Sequence, residues 1–179
     1  MKTAISMLIA LFITSTIARA DYLEDVKNFG YVAGEGIACN SPRYKSYGMV
    51  TQAYLISASK SDDELQKGMY AYNEAKATSF IRMKDRKLRG CAEVRERFEK
   101  QKIFQTKLSK NGTLRMPDGK VIKPRQAYDT TKIYDKNADE KARLDEIYNK
   151  AVAKRKRQLV KEGIYEKIKK AEAEAQSRH

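Results

Sequence analysis

Two cysteines and one histidine are all that this 179-residue chain offers to thiol or imidazole chemistry. The histidine, His179, is the last residue, so a Ser-His-Asp triad, a Cys-His dyad and a histidine-bound metal all lack a well-placed base or ligand. Cys39, Cys91 and His179 together fall short of the four ligands that a structural zinc takes. No glycine-rich phosphate cradle of the P-loop or dinucleotide type occurs. A carboxylate pair of the kind used in glycoside hydrolysis remains formally available, with Glu24, Glu35, Asp62 and Glu74 as interchangeable candidates that no spacing singles out. No catalytic residue, cofactor site or metal ligand is therefore assigned, and the chain is read as non-enzymatic.

The chemistry left to the cysteines is oxidation. An even count in an exported chain predicts a Cys39–Cys91 disulfide. Closing a loop of that length stabilises a fold by about 4 kcal/mol in the chain-entropy model. Export itself is read from Met1 to Ala20: Lys2 supplies the positive start, Ala4 to Ile13 an apolar run broken by Ser6, and Ala18-Arg19-Ala20 a small-residue cleavage site. Removal of this signal peptide after Ala20 would leave a secreted or periplasmic protein. The apolar run is shorter than the roughly 20 residues of a spanning helix, and no long apolar stretch follows, so the mature chain is expected to have no transmembrane segment.

The elements that hold these residues are mostly helical. Residues 21–105 read as a helical domain. Asp21 caps a first stripe of Leu23, Val26, Phe29, Val32, Ala33 and Ile37. Ser41-Pro42 opens a second, through Tyr44, Tyr47, Val50, Ala53, Tyr54, Ile56 and Ala58. Ser61 with Glu64 forms a capping box before a third, of Leu65, Met69, Tyr72, Lys76 and Phe80. A fourth runs through Leu88, Cys91, Val94, Phe98 and Lys102. Gly30 and Gly34 either admit a neighbouring helix closely or loosen the first helix before Cys39.

Residues 106–137 change character. Asn111-Gly112 and Pro117-Asp118-Gly119 are turn signals around Thr113 to Met116, with Lys120 to Lys123 beyond, and predict a short basic β-hairpin. A polar linker follows, with Tyr128 and Tyr134 as docking points. Residues 138–179 predict a long charged C-terminal helix with a narrow stripe of Leu144, Tyr148, Ala151, Val152, Leu159 and Val160. The fold class is thus mainly α: a small disulfide-stapled helical bundle, a short β-hairpin and a charged terminal helix.

Charge sets the expected partner. The chain carries a formal net charge of +14, which falls to +12 when Lys2 and Arg19 leave with the signal peptide. Such a balance attracts anionic surfaces without choosing among them. Contact residues are expected in the hairpin, at Arg115, Lys120, Lys123 and Arg125, and in the terminal helix, at Lys154, Arg155, Lys156 and Arg157. The expected function is an exported binding or accessory protein of the cell envelope that meets a protein partner or an anionic envelope surface, with no cofactor. Nucleic acid is disfavoured by export, and the terminal helix is a candidate for self-association. A secreted effector acting on a host or competitor cell, and a cell-wall hydrolase, are the alternatives.

Overall fold

The computed structural model describes residues 14–133, 137–162, 164, 167–170 and 173. It is mainly α, and it divides into two compact units, residues 1–137 and 138–179. The first contains α1 (Thr14–Ala38), α2 (Tyr44–Ala58), α3 (Asp62–Asp85), α4 (Cys91–Glu99) and three strands, β1 (Lys107–Leu108), β2 (Leu114–Arg115) and β3 (Val121–Ile122). The second is built on α5 (Asn137–Lys161). Residues 1–13 of the expected signal peptide lie outside the described residues, as do Tyr134 and His179. In the intact chain Asp21 falls inside α1, so it does not begin that helix.

Two local devices differ from the sequence reading for physical reasons. Ser41 does not cap α2, which starts at Tyr44 after an Arg43 that makes no side-chain cap. Ser41 is instead used by the end of α1. Its N–H donates to the Gly36 carbonyl at 2.8 Å while Asn40, at φ 52°, takes the left-handed position, the pairing that commonly closes a helix C-terminus. Its hydroxyl then donates to Glu99 Oε1 at 3.5 Å. Ser61 does cap α3, accepting from the Glu64 N–H at 3.1 Å, and the Glu64 carboxylate accepts in return from the Lys60 N–H. Asp62, Asp63 and Glu64 in the first turn of α3, with Arg82 and Lys84 in the last, match the helix dipole.

The core forms where α1, α2 and α3 share their apolar faces. Val26, Ala33, Ala53 and Phe80 are fully buried, as are Tyr47, Phe98 and Leu114 to within 2%. The α1–α3 contact is the closest. A Cβ at Gly30 would sit 2.4 Å from the Tyr72 carbonyl oxygen, and one at Gly34 2.2 Å from that of Lys76. The glycine pair therefore admits a neighbouring backbone. Two expected core members, Met69 and Leu88, are exposed instead. Leu88 lies in the turn between α3 and α4, beyond the reach of either helix's buried stripe.

Cys39 and Cys91 form the disulfide, with Cα atoms 5.2 Å apart across 52 residues of sequence. The bond joins the end of α1 to the start of α4. Nearby, Tyr47, Phe98 and Phe104 pack as a triad with ring centroids 4.9 to 5.9 Å apart, and the Arg43 guanidinium lies 3.6 Å over Phe104.

The hairpin gains a strand that the sequence did not suggest. β1, β2 and β3 form an antiparallel sheet in that order, with Leu108 opposite Leu114 opposite Ile122, and Lys107 opposite Arg115 opposite Val121. Residues with period-two alternation face opposite sides. The leucine row turns inward, with Leu114 at 0% exposure among the core residues. Tyr128 anchors the segment after the sheet: its hydroxyl donates to the Ala53 carbonyl at 3.2 Å and lies 2.9 Å from Ser57 Oγ.

Candidate anion-binding face

Two turns hold the sheet's outer row in place. Asn111 Oδ1 accepts from the Thr113 N–H at 3.1 Å, and Asp118 Oδ1 accepts from the Lys120 N–H at 2.9 Å, so each acidic or amide side chain ties its own turn. Gly112 sits at φ 88°, where its missing Cβ leaves room for the Tyr128 ring. Between these turns the outward row reads Lys107, Arg115, Val121, with Lys123 next on the same alternation, and all four are exposed.

The register puts Lys107 directly across from Arg115. Like charges in that position repel, whereas an opposite pair would stabilise the sheet. No carboxylate occupies the row. Among the described residues, Lys107, Arg115, Lys120 and Lys123 have no ion-pair partner. The surface therefore holds several cations at short spacing whose field is directed at solvent.

The other expected contacts are placed differently. Arg125 forms an ion pair with Asp62 in the first turn of α3, so this cation serves as a tether between the sheet segment and the helix. Lys154, Arg155, Lys156 and Arg157 are exposed on α5, in the second unit. Successive helical residues point 100° apart, which disperses them. Lys150, Lys154, Arg157 and Lys161 nevertheless recur at helical spacing along one face, and Lys150 pairs with Glu146 at 2.6 Å. From Ile147 to Lys161 the helix has no acid, and cations near a C-terminus also suit its dipole.

The four carboxylates named as hydrolase candidates differ in their surroundings. Glu24 and Glu74 are exposed, Asp62 meets Arg125, and Glu35 lies between Arg82 and Arg97. A cleft of about 870 Å³ opens between α4, the turn at Pro117-Asp118 and Phe29 of α1. Ile103 and Met116 line it beside Phe29, and of its charged lining Glu96 bonds Lys100 at 2.6 Å while Arg97 reaches out to Glu35. The hydrogen bond from Lys100, aided by its charge, holds the Glu96 carboxyl below the usual range. The phenols pushed upward in pKa, those of Tyr22, Tyr47 and Tyr128, are raised first by burial, and each donates to a backbone carbonyl. Among the described residues, no group of three histidine, cysteine or acidic side chains is placed to hold a metal ion, and no helix is long and apolar enough to cross a membrane.

Lys107, one of the cations that surround the hairpin in the sequence, joins the outward row beside the expected contacts Arg115 and Lys123. β1 holds only two residues, too few to show a period, so the place of Lys107 in the row comes from its register with β2. Compared with known proteins, the chain matches no protein family, no curated protein and no solved structure.

Proposed function

We propose that this chain is an exported binding protein of the cell envelope, stapled by its disulfide in an oxidising compartment, that contacts an anionic envelope component through the outer row of its sheet. The observation that carries this reading is the register of Lys107 against Arg115, continued by Lys123, with no carboxylate in the row. A surface that accepts repulsion at its centre is most stable when an anion lies over it. Support for export comes from the Met1–Ala20 segment and from the closed Cys39–Cys91 bond, which persists in oxidising compartments. The reading asks for binding alone, without bond-making chemistry.

The test is cosedimentation of the disulfide-bonded protein with an isolated envelope fraction, comparing the native chain with a Lys107→Gln, Arg115→Gln, Lys123→Gln variant. These side chains are exposed, so the fold should survive. Each charge near an anionic surface is worth about 1 kcal/mol, or roughly fivefold in affinity. The triple variant should therefore bind about a hundredfold more weakly, and raised salt should release the native protein. Unchanged binding by the variant overturns the reading. Recovery of the protein from the periplasm with Asp21 as its first residue would support the address, and a reduced protein bearing Met1 in the cytosol would refute it.

A further inference from the structure

The corner between α3 and α4, residues 86–90, is built in a way that helix termination alone does not require. α3 closes as α1 does: the Leu88 N–H donates to the Met83 carbonyl at 2.9 Å and the Lys87 N–H to the Lys84 carbonyl at 2.9 Å. Such an ending wants glycine or asparagine in the left-handed position, and α1 supplies Asn40 there. α3 supplies Lys87 at φ 54° followed by Leu88 at φ 58°, with Gly90 at φ 82° only afterwards. Lysine and leucine are both disfavoured in that region by their Cβ atoms.

What the corner presents is a leucine set among cations. Leu88 is 39% exposed. Arg86, Lys87 and Arg89 are exposed on either side of it and have no ion-pair partner among the described residues. With Asp85 and Gly90 they line a shallow basin of about 430 Å³, in which three cations outnumber one carboxylate. The next residue is Cys91, whose bond to Cys39 pins the corner to the end of α1.

We propose that this corner docks on the surface of an anionic phospholipid bilayer. Leu88 enters the headgroup region while Arg86, Lys87 and Arg89 meet the lipid phosphates. An apolar group flanked by cations suits an interface that is negative outside and oily beneath. A dissolved anion would engage the cations but leave Leu88 in water. The backbone strain is then part of the device, because it turns an apolar side chain outward on a clamped turn. This site goes beyond the proposed function and uses none of the sheet residues assigned to it.

The experiment is flotation of the disulfide-bonded protein with vesicles of phosphatidylglycerol and phosphatidylcholine in equal parts, against phosphatidylcholine alone. Binding is expected to the anionic vesicles only. Leu88→Asn should weaken it about tenfold, since burial of a leucine side chain is lost. Asparagine tolerates the left-handed region, so this variant keeps the fold. Lys87→Gly should weaken binding about fivefold while raising the urea midpoint, because the strain is relieved as the charge is removed. Equal binding to both vesicle types overturns the proposal, as does native-like binding by Leu88→Asn. Displacement by inorganic phosphate beyond that caused by sodium chloride at matched ionic strength would assign the basin to a free anion and overturn it too. Loss of vesicle binding through the Lys107, Arg115 and Lys123 substitutions alone would reject the corner and leave the sheet reading standing.

Discussion

Tyr22, Tyr47 and Tyr128 each bring a phenol into the packed interior and satisfy it with a backbone carbonyl: Leu55 at 3.1 Å, Phe29 at 3.3 Å and Ala53 at 3.2 Å. Burial disfavours the phenolate, and the Tyr22 phenol is pushed up to about 12, with the charge of Glu64 adding to the effect. An unfolded tyrosine ionises near 10. The folded state therefore holds this proton more tightly, and the associated stability is fully present below pH 10 and is lost as pH rises toward 12. The slope is about 1.4 kcal/mol per pH unit for each such phenol. Urea denaturation should give similar stabilities at pH 8 and 9 and a clear fall at pH 11. Tyr22→Phe should remove its share of that fall, and an unchanged pH profile in the variant would mean that the Tyr22 phenol ionises as it does in water. Helical spacing in the sequence places Tyr47 and Tyr54 on a buried face. It cannot name the carbonyl that each hydroxyl finds, because that depends on how two helices cross.

At the scale of elements, the α1–α3 contact decides the bundle. Gly30 and Gly34 on α1 meet Ala75 and Ser79 on α3, whose Cβ atoms lie 2.9 Å from the Cβ positions of Gly30 and Gly34 respectively. Two stripes of small residues at four-residue spacing let the backbones touch. The approach has a consequence for Ser79, whose Oγ is buried without a hydrogen-bond partner among the described residues. Gly34→Ala should destabilise strongly, because its methyl would meet the Lys76 carbonyl oxygen at 2.2 Å and backbone cannot rotate away as a side chain does. The gain of about 1 kcal/mol in helix propensity is outweighed by overpacking of up to about 3 kcal/mol, so the urea midpoint should fall. A midpoint that rises would mean that the helices stand farther apart. The Gly-xxx-Gly spacing was legible in the sequence, whereas the facing Ala75 and Ser79 fall outside the apolar stripe read for the third helix. Which helix covers the glycines was not legible, since a periodic face does not say what packs against it. β1 escaped for another reason: two residues are too few to display a period, and only the register across β2 reveals them. Met69 and Leu88 continue apolar series in sequence yet are exposed: Met69 lies off the face of α3 that buries Glu64, Gly68, Ala71 and Ala75, and Leu88 lies in the turn after α3 ends.

The whole first unit depends on how its covalent link and its charges compare. Its ion pairs are largely exposed: Lys67 with Asp63 and Lys100 with Glu96 leave more than half of each side chain accessible. Exposed pairs of this kind contribute at most about 1 kcal/mol each. Residues 1–137 carry 25 Lys and Arg against 15 Asp and Glu, an excess of like charge that opposes compaction. Burial and the disulfide must therefore carry the fold. The Cys39–Cys91 bond spans 52 residues that include all of α2 and α3, so an unfolded chain that keeps the bond is constrained across the middle of the bundle. In the chain-entropy model that constraint is worth about 4 kcal/mol, against a total of about 5 to 15 kcal/mol for an ordinary domain. Urea denaturation with and without a thiol reductant should then separate by about 1 to 4 M in midpoint, given a slope of about 1 to 3 kcal/mol per molar for a protein of this size. A reduced protein that unfolds at the same midpoint would show that helix packing alone sustains the unit. It would also remove the thermodynamic reason for maturation in an oxidising compartment, because the same bundle would then stand with both sulfurs as thiols.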